Sequence, residues 1–262
     1  MRIGLSTAAF YGQLETEMAA EQMEKYHVDC AEVFLQTRSE YTAEFAGEVK
    51  KRLGSVRCTS VHAKGTHFEN DFFGRSARQR QDALDGYQRI LDAAAELGAF
   101  CYVYHGRHTA LLSPLPFNLS ANTEVVGKMC EEADARGILL AWENVSWCQL
   151  TTPERVLSIR RALPQVHFTL DIKQAMRAGC DPLEFIPAMG EALCNVHVCD
   201  WDQSGKLCLP GEGKVDFAAL FKALRAAHYE GPVILEPYLA LIQDKNALER
   251  SLTFLRCEMA KA

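Results

Sequence analysis

Residues 138–171 read ILLAWENVSWCQLTTPERVLSIRRALPQVHFTLD. The apolar run Ile138 to Glu143 is short enough for a buried strand and ends in a carboxylate. Thr152-Pro153 then sets a capping side chain ahead of a first-turn proline, which opens a helix over Pro153 to Ala162. A second apolar run, His167 to Asp171, again ends in a carboxylate. Strand, helix, strand within about 35 residues is the βαβ unit of a parallel sheet. The same alternation runs outward in both directions without a linker. The strands are expected at Arg2 to Ser6, Ala31 to Leu35, Ser55 to His62, Phe100 to His105, Ile138 to Glu143, His167 to Asp171, Leu193 to Cys199 and Val233 to Glu236. The helices fall at Leu14 to Tyr26, Tyr41 to Arg52, Ser76 to Leu97, Leu119 to Arg136, Pro153 to Ala162, Pro182 to Met189, Phe217 to His228 and Leu241 to Glu258. Eight units over 262 residues give about 33 residues each, matching a single (β/α)8 TIM barrel over residues 1–262, typically about 250 residues long. An open doubly wound sheet is the competing architecture, but no Gly-rich phosphate turn follows an early strand.

Composition narrows the class further. The chain is 48% hydrophobic and 24% charged, with 28 basic against 34 acidic residues and a net charge of −6. That balance suits a globular domain with a large core and excludes a disordered or collagen-like chain. The acidic balance argues against a nucleic-acid partner, which would favour a basic stripe. No apolar run approaches the roughly 18 residues of a membrane span. The opening MRIGLSTAAFYG reads as a strand rather than a secretory leader, so a cytoplasmic location is expected. The ten cysteines form no C-x-x-C pair and are expected as reduced core thiols.

In such a barrel the chemistry sits at the C-terminal strand ends. Here those ends carry His62, His105, Glu143, Asp171, His197 and Glu236 on six consecutive strands. Each alone has an ordinary structural explanation, whereas six converging on one mouth, three of them carboxylates, would repel one another without a cation. A divalent metal resolves the conflict, and mixed imidazole and carboxylate ligands suit zinc, manganese, cobalt or iron better than calcium.

The segments SVHAK, VYHG, AWENVS, TLDIKQA, NVHVCD, LPGEGKVDF and YEGPVILEPY resemble the xylose-isomerase-like TIM-barrel superfamily, which holds sugar isomerases and epimerases and the abasic-site nucleases of the endonuclease IV type. The order Glu, Asp, His, Glu at the ends of strands five to eight is similar to that of ketohexose 3-epimerases. The resemblance implies that Glu143, Asp171, His197 and Glu236 bind one catalytic metal. It also implies that His62 and His105 line the site, their nuclease counterparts holding a further zinc. One or two divalent ions (zinc, manganese, cobalt, iron or magnesium) are therefore expected. The chain departs from the family at Gln174, where a histidine is common, and at Gly205 to Pro210, where the nucleases carry a third metal site.

A metal held this way polarises a sugar carbonyl and stabilises an enediolate. The resemblance implies that Glu143 and Glu236 then exchange protons with opposite sides of the substrate carbon. The expected activity is isomerisation or epimerisation of a small polyhydroxy carbonyl compound, with dehydration or lyase chemistry related to it. The alternatives are an abasic-site nuclease, a non-catalytic metal and sugar-binding protein, and an aldolase built on a Lys173 Schiff base. Substrate contacts are expected from His62, His105, Lys173, Gln174, Arg107, Trp147 and Glu212. Lys64, His67 and His108 follow strand ends as well, Trp142 should face the helix layer, and Glu32 on strand two is expected to be interior. Barrels of this type often form homo-oligomers.

Overall fold

The computed structural model describes residues 1–65, 68–109, 117–244 and 246–262. His67, one of the loop candidates, lies outside them. Eight parallel strands close into a barrel: Arg2–Ser6, Cys30–Leu35, Arg57–Ala63, Cys101–Tyr104, Leu139–Glu143, His167–Asp171, Leu193–Val198 and Pro232–Leu235. Each strand pairs with its sequence neighbours, and closure is made by the first against the eighth, where Leu5 stands opposite Leu235. Nearly every strand residue is buried, because the helices cover one face and the barrel interior the other.

Helix starts follow their capping residues. The side chains of Thr42, Asn118, Thr152 and Asp216 each accept the backbone N–H three residues on, opening the helices Ala43–Leu53, Leu119–Asp134, Pro153–Ala162 and Phe217–Ala226. Gly98 closes Ala77–Leu97 at φ 77°, a left-handed conformation that glycine adopts without strain.

Three regions differ from the sequence expectation. The first helix is split into Thr16–Ala20 and a 3-10 turn, Met23–Tyr26, which lays Tyr26 on Phe10 at 6.1 Å. The last helix begins at Ala247 rather than Leu241, because the Asp244 carboxylate accepts the Asn246 N–H and turns the chain first. An additional helix, Ile172–Arg177, follows the sixth strand directly, with Asp171 accepting the Gln174 N–H at 2.9 Å. After the seventh strand, Asp200–Trp201 and Leu207–Cys208 form a small antiparallel ribbon. The Asp200 carboxylate gathers that loop by accepting the N–H groups of Trp201, Gly211, Gly213 and Val215. All ten cysteines are unpaired. Among the described residues no helix is long and apolar enough to cross a membrane.

Candidate metal centre and active site

The barrel interior is polar near its C-terminal end. Glu32 on the second strand reaches across to the seventh, where its Oε2 faces His197 Nε2 at 2.8 Å. The same oxygen accepts the Ser60 hydroxyl at 2.7 Å and the Asn195 amide at 3.1 Å. These strands are not neighbours, so the contacts cross the barrel and fix the plane of the His197 ring. With Nε2 committed to Glu32, Nδ1 is directed at Glu143 Oε1, 3.4 Å away, and Glu236 Oε2, 3.5 Å away. Carboxylate support of this kind sets the tautomer of a metal-ligating histidine.

Glu143, Asp171, His197 and Glu236 each offer a ligand atom within 4.8 Å of the other three, and all four residues are buried. Among the described residues Glu143 Oε2, Asp171 Oδ2 and His197 Nδ1 make no well-formed hydrogen bond and meet only charged or ionisable neighbours, His105 at 3.3 Å, Lys173 at 3.3 Å and Glu143 at 3.4 Å respectively. Buried polar atoms are rarely left so, and mixed carboxylate and imidazole donors at this spacing fit a divalent cation. Asp171 is aimed by Asn144, whose amide exchanges hydrogen bonds with the Asp171 backbone at 2.9 and 2.7 Å. A second group, His62, His105 and Glu143, adjoins the first, with the two imidazole Nε2 atoms 2.8 Å apart.

Charges in this cluster perturb one another strongly. Burial pushes the Asp171 carboxyl up to about 6. Burial would raise Glu143 and Glu236 too, but the adjacent His105 and His197 rings hold Glu143 well below the usual carboxylate range, and Lys173 and His197 do the same for Glu236. His197 is held well above its ordinary value because Glu32 and Glu236 outweigh the effect of burial.

A cavity of about 200 Å³ opens onto the cluster, lined by His62, His105, Glu143, Glu236, Lys173 and Gln174, with Tyr11, Phe34, Trp147 and Tyr238 as its aromatic walls. Trp147 packs edge-on to His105 at 5.2 Å. The Lys173 ammonium lies 3.0 Å from Glu236 Oε2 and 3.3 Å from Asp171 Oδ2. Burial works to lower its pKa, but these carboxylates hold it well above the usual lysine range. That is a locked ammonium rather than the neutral amine a Schiff base requires. Gln174 spends its carbonyl oxygen on the Ser146 hydroxyl at 2.7 Å, which leaves its NH2 for a ligand.

Two expected substrate contacts are not brought to this cavity. The Arg107 guanidinium lies 5.2 Å from the centre of the Phe73 ring. Glu212 is exposed, and its carboxylate accepts the Leu209 N–H on its own turn. Glu69, Asn144 and Asn195 support the site from behind and carry no signal in the sequence, since their partners His105, Asp171 and Glu32 are distant in the chain.

The comparisons agree with this architecture. The chain is 32% identical over 158 residues to a ketose 3-epimerase of Arthrobacter globiformis, covering 57% of this chain and 53% of that protein. It is 27% identical over 192 residues to a 3-dehydro-D-guloside 4-epimerase of Escherichia coli, covering 68% and 72%. A crystal structure of the IOLI protein with a binding zinc atom superposes with a TM-score of 0.75 at 16% identity, covering 100% of this chain and 97% of that one. The family model described as xylose isomerase-like TIM barrel matches residues 19–257, and the chain belongs to that family.

Proposed function

We propose that this protein is a divalent-metal-dependent isomerase or epimerase of a small sugar or related polyhydroxy carbonyl compound. The observation that carries the proposal is the buried quartet Glu143, Asp171, His197 and Glu236, two of whose members, Glu143 and Glu236, line a small cavity. A volume of about 200 Å³ lies below the range of about 300–1,000 Å³ typical of drug-sized ligands, which favours a compact substrate. The two epimerase relatives and the zinc-bearing neighbour point the same way.

In this reading the four residues would hold a divalent metal, which would supply Lewis-acid polarisation of the substrate carbonyl. Glu143 and Glu236 come from the fifth and eighth strand ends, separated by two strands around the barrel, and both line the cavity. One carboxylate removes the proton beside the carbonyl and the other returns one, so both must be ionised or protonated in turn. Asp171 and His197 would serve only to hold the metal. Lys173, fixed by Glu236, is placed to donate to a substrate oxygen. The aromatic walls at Trp147 and Phe34 exclude water and pack against the sugar.

The test is deuterium wash-in from D2O at the carbon next to the carbonyl of ketoses such as D-fructose and D-tagatose. Glu143→Gln and Glu236→Gln should each abolish interconversion of the epimers while a metal remains bound, with deuterium exchange left at most on the face of the surviving carboxylate. Full epimerisation in either variant would overturn the assignment.

A further inference from the structure

Tyr11 and Tyr238 are 42% and 45% exposed, yet both line the cavity, so they form its rim. They follow the first and eighth strands, which pair with each other. Each phenol is met by a cation brought from two strands away. Lys64, just after the third strand, donates from Nζ to the Tyr11 hydroxyl oxygen at 2.6 Å. Arg177, at the end of the helix that follows the sixth strand, donates from Nη1 to the Tyr238 hydroxyl oxygen at 2.9 Å. With the oxygen accepting, each hydroxyl proton is left to be donated outward. The Lys173 ammonium lies 5.0 Å from the centre of the Tyr238 ring, and the Arg177 guanidinium 6.0 Å from that of Trp201.

These cations differ in what offsets their charge. Lys173 is spent on Asp171 and Glu236. Among the described residues Lys64 and Arg177 make no ion pair and are held by neutral phenols instead. That is notable in a chain with 34 acidic residues against 28 basic. The rim therefore offers phenolic O–H donors with uncompensated positive charge behind them, the donor set that favours a charged acceptor over a sugar hydroxyl. We propose that the substrate is an anionic sugar, whose carboxylate or phosphate is received at this rim by Tyr11, Tyr238, Lys64 and Arg177 while its carbonyl end enters the cavity. A charged group that stays at the rim keeps part of its hydration, and the volume of about 200 Å³ need hold only the rest of the molecule. The inference rests on the proposed function for the ligand's being a sugar, whereas the anion site stands on the rim alone.

Isothermal titration calorimetry on the full-length protein as purified, at low salt where exposed charges are least screened, compares D-fructose with D-fructuronate and D-fructose 6-phosphate. The three share one skeleton and carry a hydroxyl, a carboxylate or a phosphate at the sixth carbon. At least one anion should bind about tenfold tighter than D-fructose, and the one that does identifies the charged group. In the double variant Lys64→Met, Arg177→Met that preference should disappear. Inorganic phosphate, which demands no sugar stereochemistry, is the second probe and decides if none of the ketoses binds: it should bind the double variant more weakly than the wild type. D-Fructose bound as tightly as both anions, a preference that survives in the double variant, or phosphate binding equal or undetectable in both proteins overturns the proposal. Because binding is read rather than turnover, a rim that selects anions in a protein that epimerises none of them contradicts the proposed reaction and leaves the anion site standing.

Discussion

Glu32→Ala is the perturbation whose size follows most directly from the geometry. The carboxylate satisfies the Ser60 hydroxyl, the Asn195 amide and the His197 ring, all on Oε2, and the Ser6 hydroxyl on Oε1 at 3.3 Å. The two serine hydroxyls can rotate to other acceptors, but the Asn195 and His197 N–H groups cannot. Each buried donor left unmet costs about 1–3 kcal/mol, and breaking a buried ion pair by removing one partner costs about 3–5 kcal/mol. The variant should therefore lose about 3–5 kcal/mol, a large part of the roughly 5–15 kcal/mol that holds a typical domain. Glu32→Gln keeps an oxygen for both N–H groups and should lose only about 1 kcal/mol. Urea denaturation of the metal-free proteins gives these values as a shift of midpoint at constant slope. Zinc competition with a chelator should show affinity weakened about tenfold to a hundredfold in Glu32→Ala and little changed in Glu32→Gln. An alanine variant within about 1 kcal/mol of wild type, with zinc affinity intact, would refute the claim that Glu32 holds His197 in place.

Three further outcomes follow from the same structure. Lys173→Met leaves Asp171 and Glu236 uncompensated, so differential scanning calorimetry should show the metal-free protein destabilised by several kcal/mol, with most of the loss recovered on adding zinc. Zinc affinity should rise with pH, because Asp171, with its pKa pushed up to about 6 by burial, keeps its proton below that value and competes with the ion. His197, held well above its ordinary value, extends the competition to higher pH. Calorimetry in buffers of different ionisation heat should detect the released protons, and a pH-independent affinity between pH 5 and 8 would contradict this. Asp200→Asn turns an NH2 onto two of the four backbone N–H groups its carboxylate gathers. It should cost about 2–4 kcal/mol, read as a lowered urea midpoint.

The barrel was legible because strand and helix signals are local. Thr152-Pro153 and Asp181-Pro182 mark helix starts that agree with the structure residue for residue. Glu143 and Asp171 could be found because each closes its own strand, and the C-terminal end of a barrel strand faces the mouth. Arg107 and Glu212 also follow strand ends, yet their side chains turn to Phe73 and to the Leu209 turn. Position on a loop sets where the backbone runs and leaves the side-chain direction open. Glu32 pairs with a residue 165 positions away and Glu69 with one 36 away, contacts that no periodicity encodes. The helix Ile172–Arg177 is hidden because it starts in the residue after the sixth strand, with Asp171 serving both as its cap and as a strand end.

The most direct test of the central claim is metal content, measured by elemental analysis on protein purified without chelators or metal-affinity columns. One or two equivalents of a divalent transition metal are expected in the wild type. In Asp171→Ala and Glu236→Ala the ion should be lost while circular dichroism shows the fold retained. A wild-type protein that carries no metal and takes up neither zinc nor manganese when they are added would contradict the account.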